Sequence, residues 1–257
     1  NGSDATAAAI RLARAVTGRE HVAVCGYHGW QDWYIGSTTR DLGVPAAVKA
    51  LTHSFSYNNL ASLEALFSQY PLAAVILEPM NLNWPEPGFL EGIRALCDRH
   101  GAVLIFDEII TGFRFAIGGA QQLFGVTPDL ACFGKGMANG LPISAVVGKR
   151  EIMSWMEKIF FSGTFGGDAI ALCAAKATIN KMQQHDVLGH IARMGQRLQD
   201  GVQQLLQQLG NPAWLASCGH PSWSFLVVKD AAPYSLWQLK SLLLQEMASR
   251  GLLLGGG

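Results

Sequence analysis

The chain has 257 residues, 49% of them apolar and 15% charged, with 19 lysines and arginines against 19 aspartates and glutamates. That balance suits one large α/β domain and part of a second around a sizeable core, and it gives no net field to draw nucleic acid or an anionic membrane. No window reaches the ~18 uninterrupted apolar residues of a membrane span, and five scattered cysteines without a C-x-x-C pair argue against a disulfide framework or structural zinc and for a reducing cytosol.

In chain order, Ser3 or Asp4 is predicted to cap a helix over 5–17, closed by Gly18. A short buried strand over 21–25 follows, then a long loop rich in aromatics and glycine over 26–45. Asn58 or Asn59 caps a helix running to Tyr70. The apolar run 72–77 reads as a strand buried on both faces. A helix over 90–100 ends at Gly101, and strands are expected at 102–106, 130–133 and 144–148, the first ending at Asp107 and the second at Gly134-Lys135-Gly136. Two longer helices, 168–184 and 187–209, come next. The pattern changes at Asn211-Pro212, where a strand near 224–228 and a helix near 235–250 open what reads as a second, smaller domain. The expected division is a large domain over 1–209 and the start of a small α+β domain over 210–257. Leu252-Leu253-Leu254 reads as an apolar strand running into glycines. With no initiator Met at Asn1, a missing segment is expected at each end. Strands alternating with helices predict a mostly parallel sheet with helices on both faces, and in such sheets ligands gather outside the carboxyl ends of the strands.

Three notable residues fall at those ends: Glu78, Asp107 and Lys135. Lys135, set between two glycines after an apolar strand, suits a nucleophilic amine that forms a Schiff base with an aldehyde; the plainer reading is a loop lysine beside a turn. Asp107 is costly to bury without a cationic partner. A protonated heteroaromatic nitrogen is such a partner, and a structural turn-capping aspartate is the alternative. Ile109 offers a flat apolar wall or an ordinary core side chain. Gly2-Ser3 at a helix start offers free N–H groups and a hydroxyl to a phosphate, or simply a helix cap. Tyr27-His28-Gly29 puts an aromatic ring where it can stack on a planar cofactor or lie on the surface. Glu78 and Asn83 are placed to hydrogen-bond the same site, and the Ser162–Asp168 loop again suits a phosphate.

Taken together, these strings resemble the class III aminotransferases, and within them the glutamate-1-semialdehyde aminomutase-like branch. The carriers are Gly2-Ser3-Asp4-Ala5 with Ala9-Ile10-Arg11-Leu12-Ala13-Arg14 and Thr17-Gly18-Arg19, then Tyr27-His28-Gly29, Glu78-Pro79, Asp107-Glu108-Ile109 through Gly112-Phe113-Arg114, and Gly134-Lys135-Gly136 through Gly140-Leu141-Pro142. The resemblance implies a fold-type I pyridoxal-phosphate enzyme working as a cytoplasmic homodimer on a small-molecule amino donor and carbonyl acceptor. Lys135 would then be the Schiff-base lysine and proton carrier, and Asp107 the partner of the pyridine nitrogen. Gly2 and Ser3 would bind the phosphate, Thr164 would reach the phosphate of the other subunit, and Tyr27 and Ile109 would face the two sides of the ring. Asp4, His28, Glu78 and Asn83 would support the site.

Two stretches depart from the branch's pattern. His28-Gly29-Trp30-Gln31-Asp32-Trp33 stands where the aminomutase continues His-Gly-His-Ala-Asp, and Met80-Asn81-Leu82-Asn83-Trp84 stands where small residues are usual. Both changes favour transamination between two substrates over intramolecular amino transfer. A non-catalytic α/β scaffold is the third reading; it predicts no Schiff-base absorbance.

Overall fold

A computed structural model describes residues 1–255 and divides the chain into two compact units, Asn1–Leu188 and Gly189 onward. The first unit is built on a six-stranded sheet of β1 (His21–Cys25), β2 (Thr52–Ser54), β3 (Leu72–Leu77), β4 (Val103–Glu108), β5 (Leu130–Phe133) and β6 (Ala145–Gly148). The spatial order is β2-β1-β3-β4-β5-β6. The first five strands run parallel, and β6 pairs antiparallel with β5. The order reverses between β1 and β3, so the crevice at their carboxyl ends is where a sheet of this kind binds ligands.

Strand alternation sorts the side chains between two cores. Val22, Val24, Ala74, Ile76, Val103 and Ile105 face the first helix, α1 (Gly2–Thr17), in one cluster. Ala23, Val75, Leu77, Leu104 and Phe106 point the other way, against Leu63 and Phe67 of helix Leu60–Gln69 and Leu90 and Ile93 of helix Phe89–His100. The same alternation continues to the strand ends and decides the chemistry there. Asp107 falls on the α1 side and Glu108 on the opposite side, although the two are adjacent.

α1 presents Ala5, Ala8, Ala9, Leu12 and Ala13 to the sheet, all at most 3% exposed. Its small side chains let the helix lie close to the strands. The cap is Asn1, two or three residues earlier than the expected Ser3 or Asp4: the Asn1 side chain accepts the Ser3 N–H at 3.0 Å, and Asp4 closes a capping box with the Asn1 backbone. Asp4 is thus the acidic third residue of the box, a role that reads locally like a cap. Gly18 ends the helix at φ 66°, its N–H on the Arg14 carbonyl.

Elsewhere Asn59 is the cap used, Asp168 caps helix Ala169–Gln184, and the loop after β1 contains a helical turn, Asp32–Ile35. In the second unit, β7 (Leu215–His220) and β8 (Trp223–Val228) form an antiparallel hairpin, followed by helix Leu236–Ser249. The long helix Val187–Gln208 passes the hairpin so closely at Gly195 that a Cβ there would lie 1.8 Å from the Pro221 carbonyl oxygen. Leu252–Leu254 carries no strand, which corrects the expectation: without a neighbouring strand to pair with, an apolar run makes no ladder. Gly256 and Gly257 of the closing glycines lie outside the described residues.

Candidate functional site

A cleft of about 240 Å³ opens at the carboxyl ends of β1, β3, β4 and β5. It is lined from four directions: Gly2, Ser3 and Thr6 from the start of α1, Tyr27, His28 and Gly29 after β1, Glu78 after β3, and Asp107, Ile109 and Lys135 from the ends of β4 and β5. Four strand ends that are distant in sequence meet there because the parallel register brings them into one row, and the start of α1 joins them. A wider concavity of about 460 Å³ lies along helix Val187–Gln208, but it is open and has only surface side chains around it.

Lys135 is exposed, at φ 39°, and opens a single 3₁₀ turn, Lys135–Met137. Gly134 before it packs against Ile109: a Cβ at Gly134 would lie 3.1 Å from Ile109 Cδ1, and one at Gly2 would lie 3.1 Å from Ile109 Cγ2. Ile109 is therefore a wedge between the α1 start and the lysine loop, 9% exposed, with its remaining surface on the cleft.

Asp107 is 4% exposed. Its Oδ1 accepts the Ile109 N–H at 3.1 Å and its Oδ2 lies 2.8 Å from His28 Nδ1. Glu78, at the neighbouring strand end, uses a single oxygen, Oε2, to accept the Tyr27 N–H at 2.9 Å and an Asn81 amide proton at 2.8 Å. Burial raises the Glu78 carboxyl above the usual glutamate range and the nearby Asp107 charge adds to this, while the Tyr27 N–H, His28 and Asn81 pull it down. Burial and then Glu78 push the Cys25 thiol up to about 12, and the same two causes lead in pushing the Tyr34 phenol up to about 12, with Asp107 a lesser cause there. These groups form an acidic, proton-retaining wall.

Glycine makes the approach of the β1 loop to α1 and to β3 possible. Gly29, at φ +106°, would place a Cβ 2.3 Å from Ser3 Oγ and 2.9 Å from Ser3 Cα, and Gly26, at φ +110°, would place one 2.6 Å from Glu78 Oε2. Thr6 completes the join, donating its hydroxyl to the His28 carbonyl at 2.7 Å.

The structure thus brings Gly2, Ser3, Tyr27, His28, Glu78, Asp107, Ile109 and Lys135 together. Asn83 stands apart, exposed on the loop after β3; Asn81, two residues earlier, is the one that contacts Glu78. Thr164 lies in an exposed turn and does not line the cleft. Sequence reasoning missed Thr6, Asn81 and Gly26, whose signals are long-range contacts, and Glu108. The Glu108 carboxylate points away from the cleft and accepts the Thr111 hydroxyl, the Ala120 and Gln121 N–H groups at 2.8 Å each, and the Gln121 side chain. It closes the 109–121 loop that carries Ile109. Burial still raises its carboxyl above the usual range against those four donors.

The arrangement offers an amine, a buried carboxylate aligned from behind, an exposed aromatic ring and a helix N-terminus around one small cleft; the Ser3 N–H, expected to be open to a phosphate, is taken by the Asn1 cap, so α1 offers its dipole, Gly2 and the Ser3 hydroxyl. These residues fit a planar, phosphorylated, heteroaromatic aldehyde: the glycines clear a flat space, α1 suits the anion, and Asp107 suits a ring cation.

Comparison with known proteins agrees. The family model described as aminotransferase class-III matches residues 1–213. A 3-aminobutyryl-CoA aminotransferase of Cloacimonas acidaminovorans (strain Evry) is 40% identical over 82% of this chain and 52% of its own length. A glutamate-1-semialdehyde 2,1-aminomutase of Syntrophobacter fumaroxidans is 39% identical over 98% of the chain and 64% of its own length. The chain therefore spans between about half and two thirds of these relatives. Among solved structures, the FumI protein of Sphingopyxis sp. MTA144, in its PLP internal aldimine form, superimposes over 100% of this chain and 62% of its own, with a TM-score of 0.91 and 28% identity.

Proposed function

The chain belongs to the class III aminotransferases and has their fold-type I architecture, and on that premise we propose that it is the core of a pyridoxal-phosphate-dependent transaminase that moves an amino group from a donor to a carbonyl acceptor. The observation that carries this is the convergence of Lys135, Asp107 and the α1 N-terminus on one cleft. When bound, pyridoxal phosphate supplies a reactive aldehyde and an electron-accepting ring.

Lys135 is the amine that holds the cofactor and carries a proton at the reacting carbon. Asp107 keeps the ring nitrogen charged. Gly2 and the Ser3 hydroxyl at the α1 N-terminus would hold the phosphate, which the macrodipole favours. Tyr27 would cover one face of the ring and Ile109 the other, with His28 and Glu78 supporting from behind. The protein works as a cytoplasmic homodimer in which Thr164 reaches the partner's cofactor phosphate. The exposed Phe160, Phe161, Phe165 and Ile170 around Thr164 support a second copy covering that loop.

Intramolecular amino transfer is the second reading, favoured by the aminomutase relatives. Donor dependence decides between them. The transaminase requires a separate amino donor such as glutamate for each turnover; conversion of a single amino aldehyde with no donor present would establish the aminomutase instead.

A further inference from the structure

Tyr27 is the ring proposed to cover the cofactor, yet it is largely exposed, so packing alone does not fix it. Its direction is set one peptide earlier. The Tyr27 N–H donates to Glu78 Oε2 at 2.9 Å, and the Gly26 carbonyl accepts the Tyr34 hydroxyl at 2.7 Å. Those two groups belong to one trans peptide and point to opposite sides, so Glu78 and Tyr34 grip its plane from both edges. The grip matters because Gly26, at φ +110°, has no Cβ to resist rotation of the peptide that follows it.

Tyr34 is suited to the task. It is buried, in the helical turn Asp32–Ile35, and does not line the cleft. Thr52 of β2 ties that turn down, its hydroxyl donating to the Trp33 carbonyl at 2.5 Å. The Tyr34 ring stands at 89° to the Tyr27 ring with centroids 5.7 Å apart, an edge-to-face pair. His28 and Trp33 enclose it further, their ring centroids 5.3 and 5.8 Å away. Burial and then Glu78 push the Tyr34 phenol up to about 12, so its hydroxyl keeps its proton at neutral pH and remains a donor.

We propose that Tyr34 is a positioning residue that acts through Tyr27. Its hydroxyl fixes the Gly26–Tyr27 peptide and its ring supports the Tyr27 ring, so that Tyr27 lies over the cofactor instead of swinging into solvent. The role rests on the pyridoxal-phosphate reading above. Glu78 holds the same peptide by its N–H, and the two supports act together because each blocks the rotation that would break the other.

A double-mutant cycle separates positioning from packing. Tyr34→Phe keeps the ring and loses only the hydroxyl, and Gly26 is exposed, so water can reach the freed carbonyl. Pyridoxal phosphate should bind Tyr34→Phe about 2- to 5-fold more weakly than wild type, with an altered visible circular dichroism of the bound cofactor. In a Tyr27→Ala background the same substitution should weaken binding no further. An equal loss in both backgrounds overturns the proposal, because Tyr34 then acts on the cofactor without Tyr27. Hydrogen exchange reads the grip with no cofactor present. In Tyr34→Phe the Tyr27 amide should exchange about 3- to 10-fold faster, with the β3 amides unchanged; an unchanged Tyr27 amide overturns the proposal. In wild type that amide should exchange at least about 10-fold more slowly than an unstructured one, and free exchange there overturns it whether or not the variants fold. A protected Tyr27 amide in a wild type that binds no cofactor would count against the cofactor reading rather than against the peptide grip, and it would overturn the role assigned to Tyr34 along with it.

Discussion

Substituting alanine for Gly29 tests whether the β1 loop and α1 form one cofactor seat. Two costs add. The backbone at φ +106° lies outside the regions an L-residue adopts readily, a strain of about 1–3 kcal/mol. The new Cβ would also stand 2.3 Å from Ser3 Oγ and 2.9 Å from Ser3 Cα. A rotamer change relieves the first contact. The second is with backbone that the Asn1 cap and Thr6 hold in place, so the loop or the helix start must move, at about 1–3 kcal/mol more. Taking a middle value of about 2 kcal/mol for each, and about 1.4 kcal/mol per tenfold, pyridoxal phosphate should bind between roughly 30-fold and 1,000-fold more weakly. Gly43 provides the control. Its φ is +89° and nothing lies within 4 Å of the position of its Cβ, so Gly43→Ala carries strain without a clash. It should lower Tm by a few degrees and leave cofactor affinity unchanged. The assay is a fluorescence or absorbance titration with pyridoxal phosphate, beside a thermal melt. A Gly29→Ala protein that binds the cofactor as tightly as Gly43→Ala would refute the shared seat.

Three further outcomes are expected. Tyr27→Ala, removing a ring that is 60% exposed beside the cleft, should weaken cofactor binding by about 2- to 10-fold with little change in Tm; a large loss of Tm instead would make the ring structural. Asp129 accepts the Leu104 N–H at 2.7 Å and pairs with Arg94 and Lys149 at 2.9 and 2.7 Å. Burial raises its carboxyl, but Lys149, the Leu104 N–H and Arg94 outweigh burial and hold it below the usual range. Its contribution is therefore present above the ordinary aspartate pKa and lost as pH falls through the lowered value, and Asp129→Asn should cost about 2 kcal/mol at neutral pH and flatten the acid limb of the melting curve. Glu108 behaves oppositely. Its raised carboxyl contributes stability below the ordinary glutamate pKa that is lost as pH rises through the raised value, so Glu108→Gln should remove that decline while costing about 1–3 kcal/mol in lost acceptor bonds; melts across mildly acidic pH would show both.

Much of the sheet was legible because its strands are short, continuous apolar runs. β1, β3 and β5 stand where the runs 21–25, 72–77 and 130–133 put them. β2 escaped because Thr52-His53-Ser54 is three residues long at a sheet edge, with one side chain buried, and offers no apolar run. β7 escaped for a related reason: Leu215-Ala216-Ser217-Cys218-Gly219-His220 is mixed in character and gains its strand from pairing with β8. At the cleft, Lys135, Asp107 and Glu78 could be found because strand ends announce themselves. Their partners could not. His28 to Asp107, Tyr27 to Glu78 and Thr6 to His28 join elements between 22 and 79 residues apart, and only the parallel register brings them into reach. Asn81 and Asn83 look equivalent on the page of sequence; the path of the loop after β3 decides that Asn81 meets Glu78.

The most direct test of the account is the absorbance spectrum of the protein with added pyridoxal phosphate, wild type against Lys135→Ala. The account predicts a visible band from the cofactor joined to the lysine in wild type, and its loss in Lys135→Ala, whose cleft keeps Asp107, Glu78 and the α1 N-terminus. No band in wild type, or the same band in both proteins, would contradict it.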